Sequence, residues 1–271
     1  MIDTYQPLRT KVLDVITETP TIKTLILKPP KPIPFNAGQF MQLTLFGIGE
    51  APFTPSSSPF DTEKMEITIL KAGYLTEAVH CLKPGDFVGL RGPFGKGYPM
   101  AKFKDKEILV VGGGVGLAPL RSLLYALFHD LDQVKRISIK YGARNPSELS
   151  FIDQYDKWKK LKNVDFECTV DQSDGKWSGK VGLVTQLLDN MDINLENAYA
   201  VSCGPEIMLK FVTLKLLSVG FSADQIFLSM NRRMSCGMGI CGRCNIGPYY
   251  LCKDGPDMNY AKIQKYPDVF G

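Results

Sequence analysis

Four cysteines near the carboxy-terminal end concentrate the chemistry of this sequence. Cys236, Cys241 and Cys244 are spaced C-x4-C-x2-C, Cys252 follows after seven more residues, and Gly237, Gly239 and Gly242 stand among them. Thiolates set this close together call for a common ligand, and the spacing is that of one class of [2Fe–2S] loop, in which the same run is completed by a later Cys. The glycines suit a loop wrapped tightly round a cluster, because they accept positive φ and let backbone N–H groups approach sulfur. Structural zinc usually takes two separated C-x2-C pairs or Cys/His mixtures, and this stretch has one such pair and no His. Disulfides need an oxidising compartment. Met1–Pro7 shows neither the basic n-region nor the apolar h-region of an export signal. Cys81 and Cys168 are single and scattered, as ordinary thiols are. The expectation is an iron–sulfur loop in a cytoplasmic, reducing setting.

A second constellation lies in mid-chain. Gly112-Gly113-Gly114-Val115-Gly116-Leu117-Ala118-Pro119 sits between a hydrophobic run and a helical one. At such a strand–helix junction a doubly wound sheet opens a crevice, and the helix N-terminus offers free N–H groups to a pyrophosphate. Pro119 fits a helix start, where its missing donor is not needed. The run is not G-x-G-x-x-G, and no Asp or Glu ends the following strand to take a ribose hydroxyl, so the nucleotide pattern is a different one. Cys203-Gly204-Pro205 closes another strand of the same sheet and should face the same crevice, or serve only as a turn.

The elements that must position these groups fall into two rhythms. Strand-like runs at Lys11–Thr17, Thr21–Leu27, Phe40–Phe46, Met65–Leu70 and Phe87–Leu90 are separated by Gly/Pro turns, the pattern of a small antiparallel barrel. Around Gly97–Ala101 the rhythm changes. Strands at Glu107–Val111, Arg136–Tyr141, Asp165–Val170, Ala198–Ser202 and Ile226–Ser229 then alternate with helices expected at Pro119–Leu131, Ser147–Leu161, Val184–Met191 and Glu206–Val219. That alternation implies a parallel sheet with helices on both faces. The expected fold is therefore all-β followed by α/β: a barrel over 1–101, a nucleotide-binding domain over 102–230 and a cluster-binding segment over 231–271.

Composition narrows the partners. The chain has 271 residues, 44% hydrophobic and 22% charged, with a net charge of +4, ordinary values for a globular protein and too mild a charge for nucleic acid as the main partner. The basic run Lys157–Lys162, with Trp158 inside it, reads as a solvated helix face. Ile108–Phe128 carries only Arg121 as a charge, but its glycines and Pro119 suit a strand, turn and helix rather than a membrane span.

These residues resemble the ferredoxin–NADP reductase superfamily. Gly114–Pro119 reads G-x-G-x-A-P, similar to its nucleotide loop, and Cys203-Gly204-Pro205 is similar to its nicotinamide motif. Met234–Cys244 followed by Tyr249–Pro256 resembles the branch that holds the electron-transfer subunit of dihydroorotate dehydrogenase B, the gamma subunits of sulfhydrogenases and the B subunit of anaerobic sulfite reductase. The resemblance implies FAD in the barrel, NAD or NADP in the second domain and a [2Fe–2S] cluster held by Cys236, Cys241, Cys244 and Cys252. It aligns Ala51-Pro52-Phe53-Thr54 with the family's Arg-x-Tyr-Ser/Thr flavin motif, followed by Pro55 and Ser56. Phe53 is then expected against the isoalloxazine and Thr54 near its reactive nitrogen. Ala51 stands where the family has the Arg, which removes a bidentate phosphate partner. Gly73-Tyr74-Leu75-Thr76, similar to the family's G-x-x-S/T turn, is the expected compensation, and Ile69, Leu70 and Lys71 are expected to line the flavin. The same analogy places Gly113, Gly114, Val115, Gly116, Leu117, Ala118, Pro119, Gly204 and Pro205 at the dinucleotide, Cys203 beside the nicotinamide, and Arg144 and Asp171 nearby.

The function implied is a converter between two-electron and one-electron chemistry. It would pass electrons between NAD(P)H, FAD and the cluster, to or from a catalytic partner subunit of hydrogenase or sulfur-reductase type. Sulfite reductase and dihydroorotate dehydrogenase complexes are the alternatives. Hydride transfer needs stacking and orientation more than acid–base groups, in keeping with only His80 and His129, both read as structural. Rival readings are a redox-sensing nucleotide-binding module, a self-contained flavin reductase and a zinc-bound loop.

Overall fold

The computed structural model describes residues 5–270; Met1–Thr4, part of the stretch read for an export signal, and Gly271 lie outside the described residues. β1 (Leu8–Thr17) and β2 (Ile22–Lys28) form a hairpin, followed by β3 (Phe40–Leu45), β4 (Gly49–Phe53), β5 (Met65–Leu70), a short helix α1 (Tyr74–Val79) and β6 (Phe87–Phe94). They build one six-stranded antiparallel sheet in the order β4-β3-β6-β1-β2-β5. Its two ends are drawn together by the Ser56 N–H, which donates to Glu66 O at 2.8 Å. Val12, Leu25, Leu27, Met41, Ile67 and Val88 fill the interior, each such burial stabilising by roughly 1.5–3 kcal/mol. The sequence patterns missed β4, because Gly49 and Pro52 read as turn residues. Pro52 is tolerated there because β4 is an edge strand.

After a single turn of helix, α2 (Met100–Phe103), the parallel sheet begins. Its elements are β7 (Glu107–Gly113), α3 (Leu117–His129), β8 (Arg136–Ala143), α4 (Ile152–Lys159), β9 (Val164–Val170), β10 (Lys180–Val181), β11 (Ala198–Cys203), α5 (Glu206–Ser218) and β12 (Ile226–Ser229). Two expected helices are shorter than the apolar pattern suggested. Only Ile152–Lys159 of Ser147–Leu161 is α-helical, since Phe151 sits in the left-handed region (φ 58°) so that its ring reaches the core. Val184–Met191 is reduced to a 3-10 turn, Val184–Leu188, held by the burial of Val184, Leu187 and Leu188. The Lys157–Lys162 run is a solvated face as expected, with Trp158 turned into the core.

The last segment carries a small hairpin, β13 (Asn245–Ile246) and β14 (Tyr249–Tyr250), then α6 (Leu251–Asp254), β15 (Asp257–Asn259) and α7 (Tyr260–Ile263). β15 pairs antiparallel with β12, so the seven-stranded sheet runs β10-β9-β8-β7-β11-β12-β15. Cys244, Ile246, Leu251, Cys252 and Met258 share one apolar core with Leu109, Leu209 and Leu228. The cysteine segment is thus built onto the nucleotide sheet rather than appended to it.

Candidate functional site

β7 and β11 are adjacent parallel strands, with Gly112 opposite Cys203. Their carboxyl ends therefore release the glycine loop and the Cys203-Gly204-Pro205 turn side by side. Gly114 takes φ +53° and opens a 3-10 turn through Gly116, after which α3 begins with Pro119 in its first turn. A Cβ on Gly116 would lie 2.3 Å from Cys203 O, and one on Gly113 2.1 Å from Met208 Sδ. Gly116 is required for the close approach of two loops, because the atoms it would meet are backbone, whereas Gly113 meets only the flexible end of Met208. Tyr141 Oη donates to Gly114 O at 3.1 Å and steadies the turn.

A cleft of about 1070 Å³ separates this edge from the barrel. Phe53, Thr54, Leu70 and Thr76 line the barrel side; Gly113, Gly114, Val115, Gly116 and Pro119, with Cys203, Gly204 and Pro205, line the other, and Arg144 stands at the rim. The remaining candidates do not line it. Ile69 points into the barrel core, one step out of phase with Leu70 on the same strand, and Lys71 is exposed beyond the strand end. Pro55 and Ser56 are buried behind the wall, with Ser56 Oγ 2.8 Å from Thr68 Oγ1. Leu117 and Ala118 face the sheet core, and Leu75 packs on the barrel. Asp171 is exposed beside Arg144; partial burial raises its carboxyl pKa and the Arg144 charge opposes the rise. Gly73 precedes α1. The Thr76 hydroxyl is spent on that turn, accepting from Ala72 N at 2.8 Å and donating to Gly73 O at 2.9 Å. The histidines are structural: His80 Nε2 lies 2.9 Å from Ile69 O, and His129 ends α3.

Two arginines that sequence reasoning did not assign lock the halves together. Arg121 on α3 reaches across to the barrel, where Nη1 donates to Ser56 O at 3.0 Å and pairs with Glu66, while Nε donates to Gln154 Oε1 at 3.0 Å. Its isolation in an apolar run was the one available signal. Arg91 on β6 pairs with Glu50 and donates to Cys236 O at 3.2 Å and Ser235 O at 3.3 Å, and Gln42 Nε2 donates to Met234 O at 3.1 Å. Nothing in the sequence spacing links Arg91 to residues so far along the chain.

In the cysteine loop Gly237, Gly239 and Gly242 all take positive φ, between 74° and 78°. The turns they allow aim N–H groups at sulfur: Met238, Ile240 and Cys241 donate to Cys236 Sγ at 3.3, 3.4 and 3.5 Å, and Gly239 donates to Cys252 Sγ at 3.0 Å. Burial alone would push the Cys236 thiol up, but these donors outweigh it and bring its pKa down to about 6. Burial and the neighbouring Cys244, whose Sγ lies 3.3 Å away, push Cys252 up. Cys244 and Cys252 stand as a thiol pair, and Cys236 is tied to Cys241 through the Cys241 N–H. Among the described residues no three Cys, His, Asp or Glu side chains gather round a single ion site. Cys203 is buried, and burial raises its thiol to about 12, which keeps it protonated and poorly nucleophilic.

This geometry defines an NAD-binding oxidoreductase of ferredoxin-reductase-like fold that carries an iron–sulfur binding domain. Residues 110–213 match the oxidoreductase NAD-binding domain family, and residues 231–264 match the iron–sulfur cluster binding domain of dihydroorotate dehydrogenase B. Sulfhydrogenase 1 subunit gamma of Pyrococcus furiosus is 36% identical, covering 96% of this chain and 93% of its own length. The probable electron transfer subunit of dihydroorotate dehydrogenase B (NAD(+)) of Methanocaldococcus jannaschii is 34% identical, covering 93% and 89%. The chain belongs to the family of electron-transfer subunits that these proteins represent. Among solved structures, the NADH-dependent reduced ferredoxin–NADP oxidoreductase superimposes with a TM-score of 0.77 at 23% identity, covering 96% of this chain and 94% of that one. A ferredoxin NADP+ reductase from Neisseria gonorrhoeae, solved with bound FAD and NADP, gives 0.72 at 21% identity, covering 81% and 96%. Both likenesses are of fold. Among the described residues no helix is long and apolar enough to cross a membrane.

Proposed function

We propose that the chain passes electrons between NAD(P)H, FAD and a [2Fe–2S] cluster and exchanges them with a catalytic partner subunit, of hydrogenase or sulfur-reductase type, in the cytoplasm. The observation that carries this is the single cleft shared by the nucleotide loop and the barrel, with the cysteine loop clamped to the same barrel through Arg91. Bound there, a flavin supplies the exchange between hydride and single electrons, and an iron–sulfur cluster supplies a one-electron relay.

The chain's own residues suit these groups. Phe53 offers the flavin a half-buried ring and Thr54 a hydroxyl at the cleft wall. Thr76 lines the same cleft, and the Gly73–Thr76 turn is the proposed substitute for the missing Arg. Gly113–Gly116, Pro119 and Gly204-Pro205 admit a dinucleotide, Arg144 at the rim meets its 2′-phosphate, ribose or adenine with Asp171 beside it, and the Cys203 thiol orients a nicotinamide without attacking it. Four N–H donors aimed at sulfur fit anionic thiolates.

Anaerobically purified chain is expected to show flavin and iron–sulfur absorption and to reduce artificial dyes with NADH or NADPH. Cys241→Ser should lose iron and keep the flavin. Unchanged iron content in that variant would defeat the assignment.

A further inference from the structure

One buried acid is not used by the account so far. Asp257 opens β15, five residues after Cys252, and is paired across the ladder with Ser229 of β12. Ser229 Oγ donates to Asp257 Oδ1, and Tyr98 Oη lies 2.8 Å from the same Ser229 Oγ. Cys203 and Ser229 are the next residues after the Ser202–Leu228 pair of the β11–β12 ladder, so the thiol stands beside the hydroxyl, which stabilises its thiolate. Ser229 and Cys203 both line the cleft, whereas Tyr98 and Asp257 stand behind them. A single hydroxyl is thus shared by a tyrosine from the barrel–sheet junction and a carboxyl from the cysteine segment, beside a thiol from β11.

The carboxyl is held there at a cost. Its Oδ2 is buried and has no hydrogen-bond partner, and it presses so closely on the barrel that a Cβ at Gly38 would lie 2.1 Å from it. A buried polar atom without a partner destabilises a fold, and such an atom in a native structure calls for a role other than stability. Burial also raises this carboxyl to about 7, and it favours the protonated thiol on Cys203.

We propose that Asp257 is a positioning residue for the nicotinamide end of the cleft: it fixes the Ser229 hydroxyl, and through it the orientation of the Cys203 thiol. The inference rests on the reading of Cys203 as the residue beside the nicotinamide. Its consequence is that the segment carrying the cluster ligands also shapes the site where hydride is exchanged, so the two sites share a strand.

The test uses the full chain, prepared anaerobically, with two readouts. In Asp257→Ala and Ser229→Ala the rate of NADH-driven dye reduction should fall about tenfold, the effect of losing one hydrogen bond at a reacting centre, with KM for NADH changed less than about threefold. In nucleotide-free protein, alkylation of Cys203 by iodoacetamide, followed by peptide mass spectrometry, should quicken about fivefold in Asp257→Ala, where the Ser229 hydroxyl is free to turn to the thiolate, and slow about fivefold in Ser229→Ala, where that hydroxyl is gone. Asp257→Asn keeps an acceptor in place and should restore both values most of the way. Wild-type rates and wild-type alkylation in Ser229→Ala would overturn the proposal, as would an Asp257→Asn variant no better than Asp257→Ala. If Asp257→Ala does not fold, Ser229→Ala decides alone. The alkylation readout needs neither flavin nor cluster. A chain that lacks both chromophores would sink the electron-transfer reading and leave this inference to be judged on Cys203.

Discussion

Gly116→Ala isolates the central steric feature of the nucleotide site. Gly116 has ordinary right-handed helical angles (φ −62°, ψ −15°), so Ala carries no conformational penalty there and slightly favours the helix that follows. The added methyl, however, would sit 2.3 Å from Cys203 O, 2.6 Å from Cys203 C and 2.7 Å from Gly204 N. All three are backbone atoms, so the two loops must part by about 1 Å to reach ordinary contact. Overpacking of this kind costs roughly 1–3 kcal/mol in stability, and a displacement of that size at a binding site lowers turnover by up to about 100-fold. NADH-driven dye reduction by the whole chain should show kcat/KM down ~10–100-fold with flavin and iron content unchanged. Gly114→Ala is the control. Its Cβ meets nothing within 4 Å, so it bears only the left-handed strain of φ +53°, about 1–2 kcal/mol, and should impair turnover less. Normal kcat/KM in Gly116→Ala, or a larger defect in Gly114→Ala, would refute the reasoning that close approach of the Cys203 turn shapes the site.

Arg91→Met should release the cysteine loop from the barrel: it strands Glu50 and two carbonyls, destabilises by up to ~3 kcal/mol, and should speed iron loss to a chelator severalfold, which absorbance decay would follow. Arg121→Met should lower the midpoint of urea unfolding by a comparable free energy, because Glu66 and Ser56 O lose their cross-domain partner. Asp257 sets a pH dependence. Its folded pKa is raised to about 7 from 3.8, so the stability it leaves intact below pH 3.8 is lost as pH rises through about 7, by up to roughly 4 kcal/mol. Asp257→Asn should flatten that decline in urea titrations at several pH values; an equally steep decline in the variant would contradict the assignment.

Where local pattern and tertiary environment agree, the residues alone located the elements: Met65–Leu70 and Ile226–Ser229 are the strands they were expected to be. The cysteine loop was legible because its glycines have one conformational purpose, and each adopts the positive φ that purpose needs. The failures share a cause. β4 was hidden because an edge strand tolerates Pro52, and the helix before Ile152 was overcalled because Phe151 leaves helical space to bury its ring. Ile69 was grouped with Leu70 although alternation sends neighbours to opposite faces. Arg91, Arg121 and Asp257 are defined by partners that long-range folding alone brings near, Glu66 to Arg121 and Ser229 to Asp257 among them. No spacing rule reaches that far.

The most direct test is electron paramagnetic resonance of the anaerobically purified chain before and after addition of NADH or NADPH. The account predicts iron and acid-labile sulfide in equal amounts, and a reduced [2Fe–2S] signal that appears with nucleotide and is abolished in Cys241→Ser. Zinc in place of iron, or an intact cluster that neither nucleotide reduces, would contradict it.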